Sequence, residues 1–403
     1  MAAANLRSTS LAALLAVLVD PSSAGAVTPP PTSCPSRFAW ENAQLTDSAI
    51  GQNTALFGFG SDPAAAPPPP SHPRALTTLG GALIKTVPLA APCSSNWPQY
   101  DPVACQYVRD HWSDPHFHVA DPMSAMFPIY QGRTCMPTDE PAGAKCTLGG
   151  YASYSVAVTK VSQIQLALNF ARNTNLRLAV RNMGHDFGDK SIGAGTLSVW
   201  THNLKDIQFL PDYNSKGHRG PAFKLRSGVV TEKVYAAAER NNVTVIGGEC
   251  RTVGIAGGYI AGGGHSPIAP LVGMGADQIL SLEVVLPNRR LFTVDEDSYP
   301  DLYWALRGGG GTYGVVTSVT VKAYLFQFMP MWGGNMTKPQ FTTPATPFLA
   351  DLTALGIPIT PIIEYSSLYQ AFNGSFPPEV VGAADSHATS RLFLRENLPC
   401  GTQ

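Results

Sequence analysis

A chain of 403 residues is too long for one ordinary core and suits two to three domains. Its 27 basic and 28 acidic side chains leave a formal charge of -1, which excludes the strongly basic face that recognises nucleic acid or an anionic membrane and points to a small-molecule partner. Only 14% of residues are charged, while 38 Gly and 35 Pro predict many tight turns and few long helices.

At the amino terminus, Arg7, the apolar run Leu11 to Val19 and the small residues Ala24-Gly25-Ala26 read as a secretory signal over residues 1–26. That run is too short to cross a membrane, and no later stretch reads as membrane-spanning. Secretion places the seven cysteines in an oxidising compartment, where most pair. Cys250 alone sits in a glycine-rich run, which makes it the odd one out. Cys34, Cys93, Cys105, Cys135, Cys146 and Cys400 then suffice for three bridges of unspecified connectivity. Asn242, Asn335 and Asn373 each begin an Asn-X-Ser/Thr glycosylation signal, in keeping with an extracellular protein.

Residues 27 to about 75, with Pro29-Pro30-Pro31 and Pro67 to Pro70, predict an extended arm. From there to 145 the pattern is irregular and carries four cysteines, as a lead-in tied down by disulfides rather than a free domain. The texture changes at Tyr154. Tyr154 to Val158 alternates as a strand, and Val161, Ile164, Leu168 and Ala171 mark one helix face. Asn173 to Asn175 ends that helix, and Leu176 to Arg181 reads as the next strand, completing a β-α-β unit. A second unit follows: a strand at Ala222 to Val230, a helix capped by Thr231 through Ala238, and a β-branched run at Val243 to Ile246. Two apolar runs between Gln278 and Val294 flank Pro287-Asn288-Arg289 as a hairpin, and Tyr313 to Tyr324 is the last clear strand. The whole is α+β. Beyond it the pattern weakens, with one further strand expected at Ile357 to Tyr365.

Three glycine-rich segments fall in this middle region: NMGHD at 182–186, GGECRTVGIAGGYIAGGGHS at 247–266 and RGGGGTYG at 307–314. Glycine lets successive backbone N–H groups face a phosphate with no Cβ in the way, so the set predicts a large phosphate-bearing ligand. None has the Lys-Ser/Thr of an ATP-binding loop or the strand-to-helix spacing of a dinucleotide fingerprint, which excludes both familiar phosphate loops.

In their order, RNMGHDFGDKS, GGECRTVGIAGGYIAGGGHS and DLYWALRGGGGTYGVVTSV resemble the FAD-binding domain of the vanillyl-alcohol-oxidase superfamily, the PCMH type. Within it they are most similar to the fungal, secreted, berberine-bridge-enzyme-like oxidases. The resemblance covers about residues 146–325. It implies two α/β subdomains that bind FAD, followed by an α+β substrate domain of which 326–403 supplies a part. It further implies two covalent flavin bonds, to His185 after Gly184 and to Cys250 before Val253-Gly254. Imidazole and thiolate are suitable nucleophiles for an electrophilic ring. By position, Arg181, Asn182, Met183, Gly184 and Asp186 wrap the pyrophosphate. Val253, Gly254, Gly257, Gly258, Tyr259, Gly262, Gly263 and Gly264 line the isoalloxazine and ribityl chain, and Gly314 and Val316 border the adenine. Met183 departs from the Thr or Gly usual there, and Gly188-Asp189 inverts the usual order.

The implied activity is hydride transfer from an alcohol, sugar, amine or secondary metabolite to FAD, with dioxygen as acceptor. No catalytic base is assigned, because in the family it lies mainly in the second domain. The closing segment of that domain is absent before Gln403, so the alternative is a truncated, non-catalytic flavin-binding protein. Asp114, His116 and His118 lack a placed further ligand and predict no metal site. Trp304 in DLYWALR is expected as a core aromatic.

Overall fold

The computed structural model describes residues 81–129, 131–138, 145–325, 329–330, 346–347, 350–351, 353–356, 364–376 and 379–382. The signal, the proline-rich arm, Cys34, Cys400, Asn335 and most of the strand expected at 357–365 lie outside the described residues. The elements in chain order are β1 (Leu83–Lys85), α1 (Pro102–His111), α2 (Pro115–Val119), β2 (Tyr154–Ala157), α3 (Val161–Asn173), β3 (Leu178–Arg181), β4 (Leu197–Trp200), β5 (Ile207–Ser215) and β6 (His218–Arg226). There follow α4 (Thr231–Arg240), β7 (Thr244–Val245), α5 (Ala269–Val272), β8 (Ile279–Val285), β9 (Leu291–Val294), α6 (Pro300–Leu306), β10 (Val315–Tyr324), β11 (Met329–Pro330), β12 (Glu364–Tyr365) and α7 (Leu368–Ser375). Helices and sheets are mixed, as the pattern predicts.

The first sheet runs β1-β2-β4-β3. The predicted β-α-β unit is there, but β2 and β3 are not neighbours. Both pair in parallel with β4, Ser155 and Ala179 each opposing Ser198. The sequence reading missed β4 because it is four residues, LSVW, buried throughout and so without alternation. It missed β5 as well, whose half-exposed pattern carries no strong period. Helix α3 lays Ile164, Ala167 and Phe170 against Val156, Val158, Leu197 and Val199, and each large side chain so buried contributes about 1.5–3 kcal/mol. The Gln163 side chain holds the start of α3 by accepting from Thr159 N (2.8 Å) and Lys160 N (3.0 Å). Asn175, at φ +53°, closes its end.

The second sheet runs β5-β6-β10-β8-β9, with β7 paired to one end of β10. Helix α4 covers it with Val234, Tyr235, Ala237 and Ala238 against Phe223, Leu225, Val319 and Val321. Strand β6 stops at Arg226 rather than reaching Val230. Thr231 is not the cap of α4: Val230 takes that position, and the Thr231 hydroxyl donates to Val253 O instead (3.2 Å). The hairpin β8-β9 turns at Arg289 as the Pro-Asn-Arg signal requires. On α6, Tyr303 and Leu306 are three apart and face the core, which turns Trp304 outward to 77% exposure. The expectation that Trp304 is a core residue is therefore wrong.

The lead-in does not stand apart. Strand β1 joins the first sheet antiparallel to β2, and α1 and α2 are capped by Asp101 and Asp114. Disulfides Cys93–Cys105 and Cys135–Cys146 tie the segment, and Cys250 is the free cysteine among the described residues. No helix among the described residues is long and apolar enough to cross a membrane.

Gly228 forms the turn between β6 and α4, where a Cβ would lie 2.1 Å from His202 O and 2.7 Å from Leu204 O. Those are backbone atoms and cannot step aside. Gly228→Ala should therefore lower the thermal midpoint by several degrees, corresponding to roughly 1–3 kcal/mol of overpacking. Gly311→Ala, with nothing within 4 Å of the added carbon, should leave the midpoint unchanged in the same scan.

Candidate functional site

The site begins where β3 ends. Arg181 points inward and is fully buried. Its Nη2 donates to His118 O (3.3 Å) and Met183 O (3.4 Å), while Nε and Nη1 have no hydrogen-bond partner. Burial pulls the guanidinium pKa down, and the charges of Asp121 and Asp186 oppose that pull. Asp121 is partly buried, its carboxyl raised by desolvation, and it accepts from Met123 N (2.9 Å) and Ser124 N (2.7 Å). The loop 182–187 folds over this charge. Gly184 has φ +79°, and a Cβ there would lie 2.1 Å from Arg181 Nη1, so both backbone and guanidinium demand glycine.

The next residue, His185, is held from both sides. Its Nε2 lies 2.7 Å from Thr252 Oγ1 and its Nδ1 3.3 Å from Glu379 Oε1. The Cys250 thiol faces the same Glu379 carboxylate, so the two residues expected to attach a flavin converge on one acidic group. Burial first, then the charges of Glu379 and Glu249, push the Cys250 thiol up to about 12. In this arrangement the resting group is the thiol rather than the thiolate expected from the sequence. On Glu379, burial raises the carboxyl, but His185 and Cys250 outweigh it and the net pKa lies below the ordinary value.

The second glycine run divides into two kinds. A Cβ on Gly254 or Gly257 would meet Asn182 Oδ1 at 1.8 or 2.4 Å. The Asn182 amide is fixed there by donating to Ser227 O (2.6 Å) and Thr201 Oγ1 (3.0 Å). These two glycines make room for the protein's own side chain. Gly258 and Gly263 have nothing within 4 Å of a would-be Cβ and present open backbone. Gly262 is exposed beside them. Tyr259 closes over the Cβ position of Gly264 and donates to His265 O (2.9 Å), and Val253 spends its carbonyl on Thr231.

The third run joins the second through Gly310 N, which donates to Ala261 O (2.8 Å). Gly308, Gly310 and Gly311 are likewise open, whereas Gly314 packs directly on Val284 and Val285 of β8. Val316 sits in β10, partly buried against the second core. Met183 is buried, with His202 Nδ1 3.1 Å from its Sδ. Asp186 accepts from Lys190 N. Asp189, raised by burial and by Asp186 to about 7, lies beside it.

Sequence reasoning did not single out Glu379, Thr252 or the side chain of Asn182. Thr252 stands inside a quoted motif, but Glu379 has no motif around it and becomes visible only through its contacts. His118 is buried, between Ser124 Oγ (2.7 Å) and Trp112 O (2.6 Å), and its pKa is lowered to about 4 mainly by burial. No metal-holding cluster of His, Cys, Asp and Glu occurs among the described residues. Asn242 and Asn373 are exposed, and Asn373 Oδ1 accepts from Arg251 Nη1 (2.9 Å).

Residues 152–295 match the family model described as an FAD binding domain. The FAD-linked oxidoreductase ZEB1 of Gibberella zeae is 47% identical over 249 residues, which are 62% of this chain and 43% of that protein. The VAO-type flavoprotein oxidase VAO615 of Thermothelomyces thermophilus is 42% identical over 250 residues, 61% of this chain and 43% of that protein. The chain thus spans well under half the length of these curated relatives. The crystal structure of the VAO-type flavoprotein MtVAO615 from Myceliophthora thermophila superposes with a TM-score of 0.67 at 33% identity, covering 76% of this chain and 66% of that one.

Arg181→Met should destabilise the protein by about 3–5 kcal/mol in urea unfolding, because Asp121 is left desolvated without its counter-charge. Arg181→Met with Asp121→Asn should lose less than the sum of the single changes. In flavin-free protein at pH 8, Cys250 should react with iodoacetamide roughly a hundredfold more slowly than a free cysteine, and its rate should keep rising beyond pH 10.

Proposed function

We propose that the protein is a secreted FAD-linked oxidase of the vanillyl-alcohol-oxidase type whose flavin is joined to both His185 and Cys250, a reading supported by the match of residues 152–295 to an FAD binding domain and by the similarity to VAO-type flavoproteins. The observation that carries this reading is the meeting of the free cysteine and the histidine at one carboxylate, Glu379, across two separate glycine-rich loops. Bound there, FAD would supply the oxidising chemistry: hydride acceptance from a substrate C–H next to oxygen or nitrogen, with dioxygen as the final acceptor and hydrogen peroxide as its product.

The residues present fit such a group. With nothing within 4 Å of an added Cβ at Gly258 and Gly263, the backbone there would let a flat ring approach more closely than a side chain would permit. Thr252 and Glu379 fix the His185 ring from its two nitrogens, so its orientation is set before a bond forms. Arg181 supplies buried positive charge behind the 182–186 loop, with two of its nitrogens unpaired, which favours an anionic pyrophosphate on that loop's outer face. Covalent attachment also suits an extracellular enzyme, which cannot replace a cofactor lost to dilution. The substrate is a small alcohol, sugar, amine or secondary metabolite, and Asn242, Asn335 and Asn373 would carry glycans.

The test is the visible spectrum of the purified protein, followed by acid precipitation. Yellow colour should stay with the wild-type pellet, persist in His185→Ala and in Cys250→Ala, and enter the supernatant only in the double variant. A colourless protein, or one that sheds free FAD, overturns the covalent reading. Peroxide release across a panel of alcohols, sugars and amines then checks the activity. Silence throughout, with flavin still reducible by dithionite, would make the protein a non-catalytic flavin binder.

A further inference from the structure

Glu379 reaches the site from outside the glycine-rich loops, and its position is fixed by backbone rather than by chance of a long side chain. Val381 N donates to Ser113 O (3.2 Å), Gly382 N to Met126 O (2.8 Å), and Trp112 Nε1 to Gly382 O (3.3 Å). Val381 is buried with Val119, Met126, Phe127 and Met183. The segment 379–382 is thereby locked onto the same lead-in that receives Arg181. From it the carboxylate meets His185 Nδ1 through Oε1 (3.3 Å) and faces the Cys250 thiol, while Oε2 is buried without a full hydrogen bond. A buried carboxylate oxygen with a free lone pair, beside two N–H or S–H groups that must lose their hydrogens, is a proton-accepting arrangement.

We propose that Glu379 is the proton acceptor for covalent attachment of the flavin, taking the hydrogen that Cys250 and His185 each give up as its bond to the cofactor forms. This rests on the attachment proposed above. Each bond replaces one hydrogen on the side chain and one on the flavin by a single S–C or N–C bond. The two electrons and two protons so released reduce one dioxygen to one hydrogen peroxide, and Glu379 returns its proton to that product.

The resting thiol is a far weaker acid than Glu379, so no proton passes between them beforehand. As a sulfur lone pair enters the new bond, the S–H becomes strongly acidic, and at that point a low-pKa carboxylate is a competent acceptor. An imidazole N–H also becomes acidic near neutral pH once its other nitrogen carries carbon, and the Glu379 carboxylate at 3.3 Å is placed to relay that proton. The remaining charges around Glu379 are consistent with an ionised carboxylate. His116 lowers its pKa and is itself held between Asp114 (3.2 Å) and Glu232 (3.5 Å), while Glu249 acts on the Cys250 thiol.

The experiment uses the full chain as wild type, Glu379→Gln and Glu379→Asp, each supplied with FAD in air. Flavin on Cys250 and on His185 is followed by intact and peptide mass, and total FAD by release on denaturation. Glu379→Gln should still bind FAD reversibly but attach it about a hundredfold more slowly, with Glu379→Asp in between. In flavin-free protein the same Gln change removes a negative charge from beside Cys250. Alkylation of Cys250 at pH 8 should therefore become about tenfold faster even as attachment slows. A merely structural role would not move the two rates in opposite directions. Attachment by Glu379→Gln at the wild-type rate overturns the proposal, as does loss of reversible FAD binding in both variants. Wild type that binds FAD but never attaches it removes the covalent premise instead, and is recognised by reversible flavin in all three proteins.

Discussion

A buried guanidinium organises this structure. Arg181 closes β3 with its side chain turned into the protein, and an ion so placed is tolerable only with carboxylates and carbonyls around it. Asp121 and the His118 carbonyl come from the lead-in, Met183 O and Asp186 from the loop that follows. Three parts of the chain are thus drawn to one charge. The loop has to pass over the guanidinium, which only glycine at 184 allows, and the position of His185 is a consequence of that passage.

The glycines look alike in the sequence yet serve different constraints. Gly254 and Gly257 are small because the Asn182 amide occupies the space of their absent side chains, and Asn182 is in turn anchored on Ser227 and Thr201. The Asn182 side chain against Gly254 and Gly257, together with the His185–Thr252 pair, joins the 182–186 loop to the 250–259 loop. A Cβ on Gly258, Gly263, Gly308, Gly310 or Gly311 would meet no neighbour, which leaves space beside that backbone for a ligand. Gly314 answers to the packing of β10 on β8.

The carboxyl-terminal segment takes part in this organisation. Helix α7 packs on α4 through Phe372 and Tyr235, whose ring centroids are 4.9 Å apart at 80°. Arg251 stacks over the Phe372 ring (4.7 Å) and bonds Asn373. The residue after Cys250 is therefore held by an element more than 100 residues away, and Glu379 follows that element directly.

By itself the sequence determined the mixed α+β class, the strands β2, β3, β6, β7, β8, β9 and β10, and helices α3 and α4. Each of these is long, regular or β-branched enough for its pattern to stand out. It also singled out Cys250, a cysteine within a glycine run, from local chemistry, and His185 through the family resemblance that the motif around it carries. Tertiary structure alone decided the rest. A four-residue strand buried on every side has no period, so β4 and its place between β2 and β3 could not be read. Trp304 and Tyr303 are adjacent and equally aromatic, and only the rotation of α6 on the sheet determines which is buried. Glu379 stands 129 positions beyond Cys250 in text without a pattern. Its role depends on a distance set by the backbone bonds of Val381 and Gly382, and a sequence specifies such a distance only by folding.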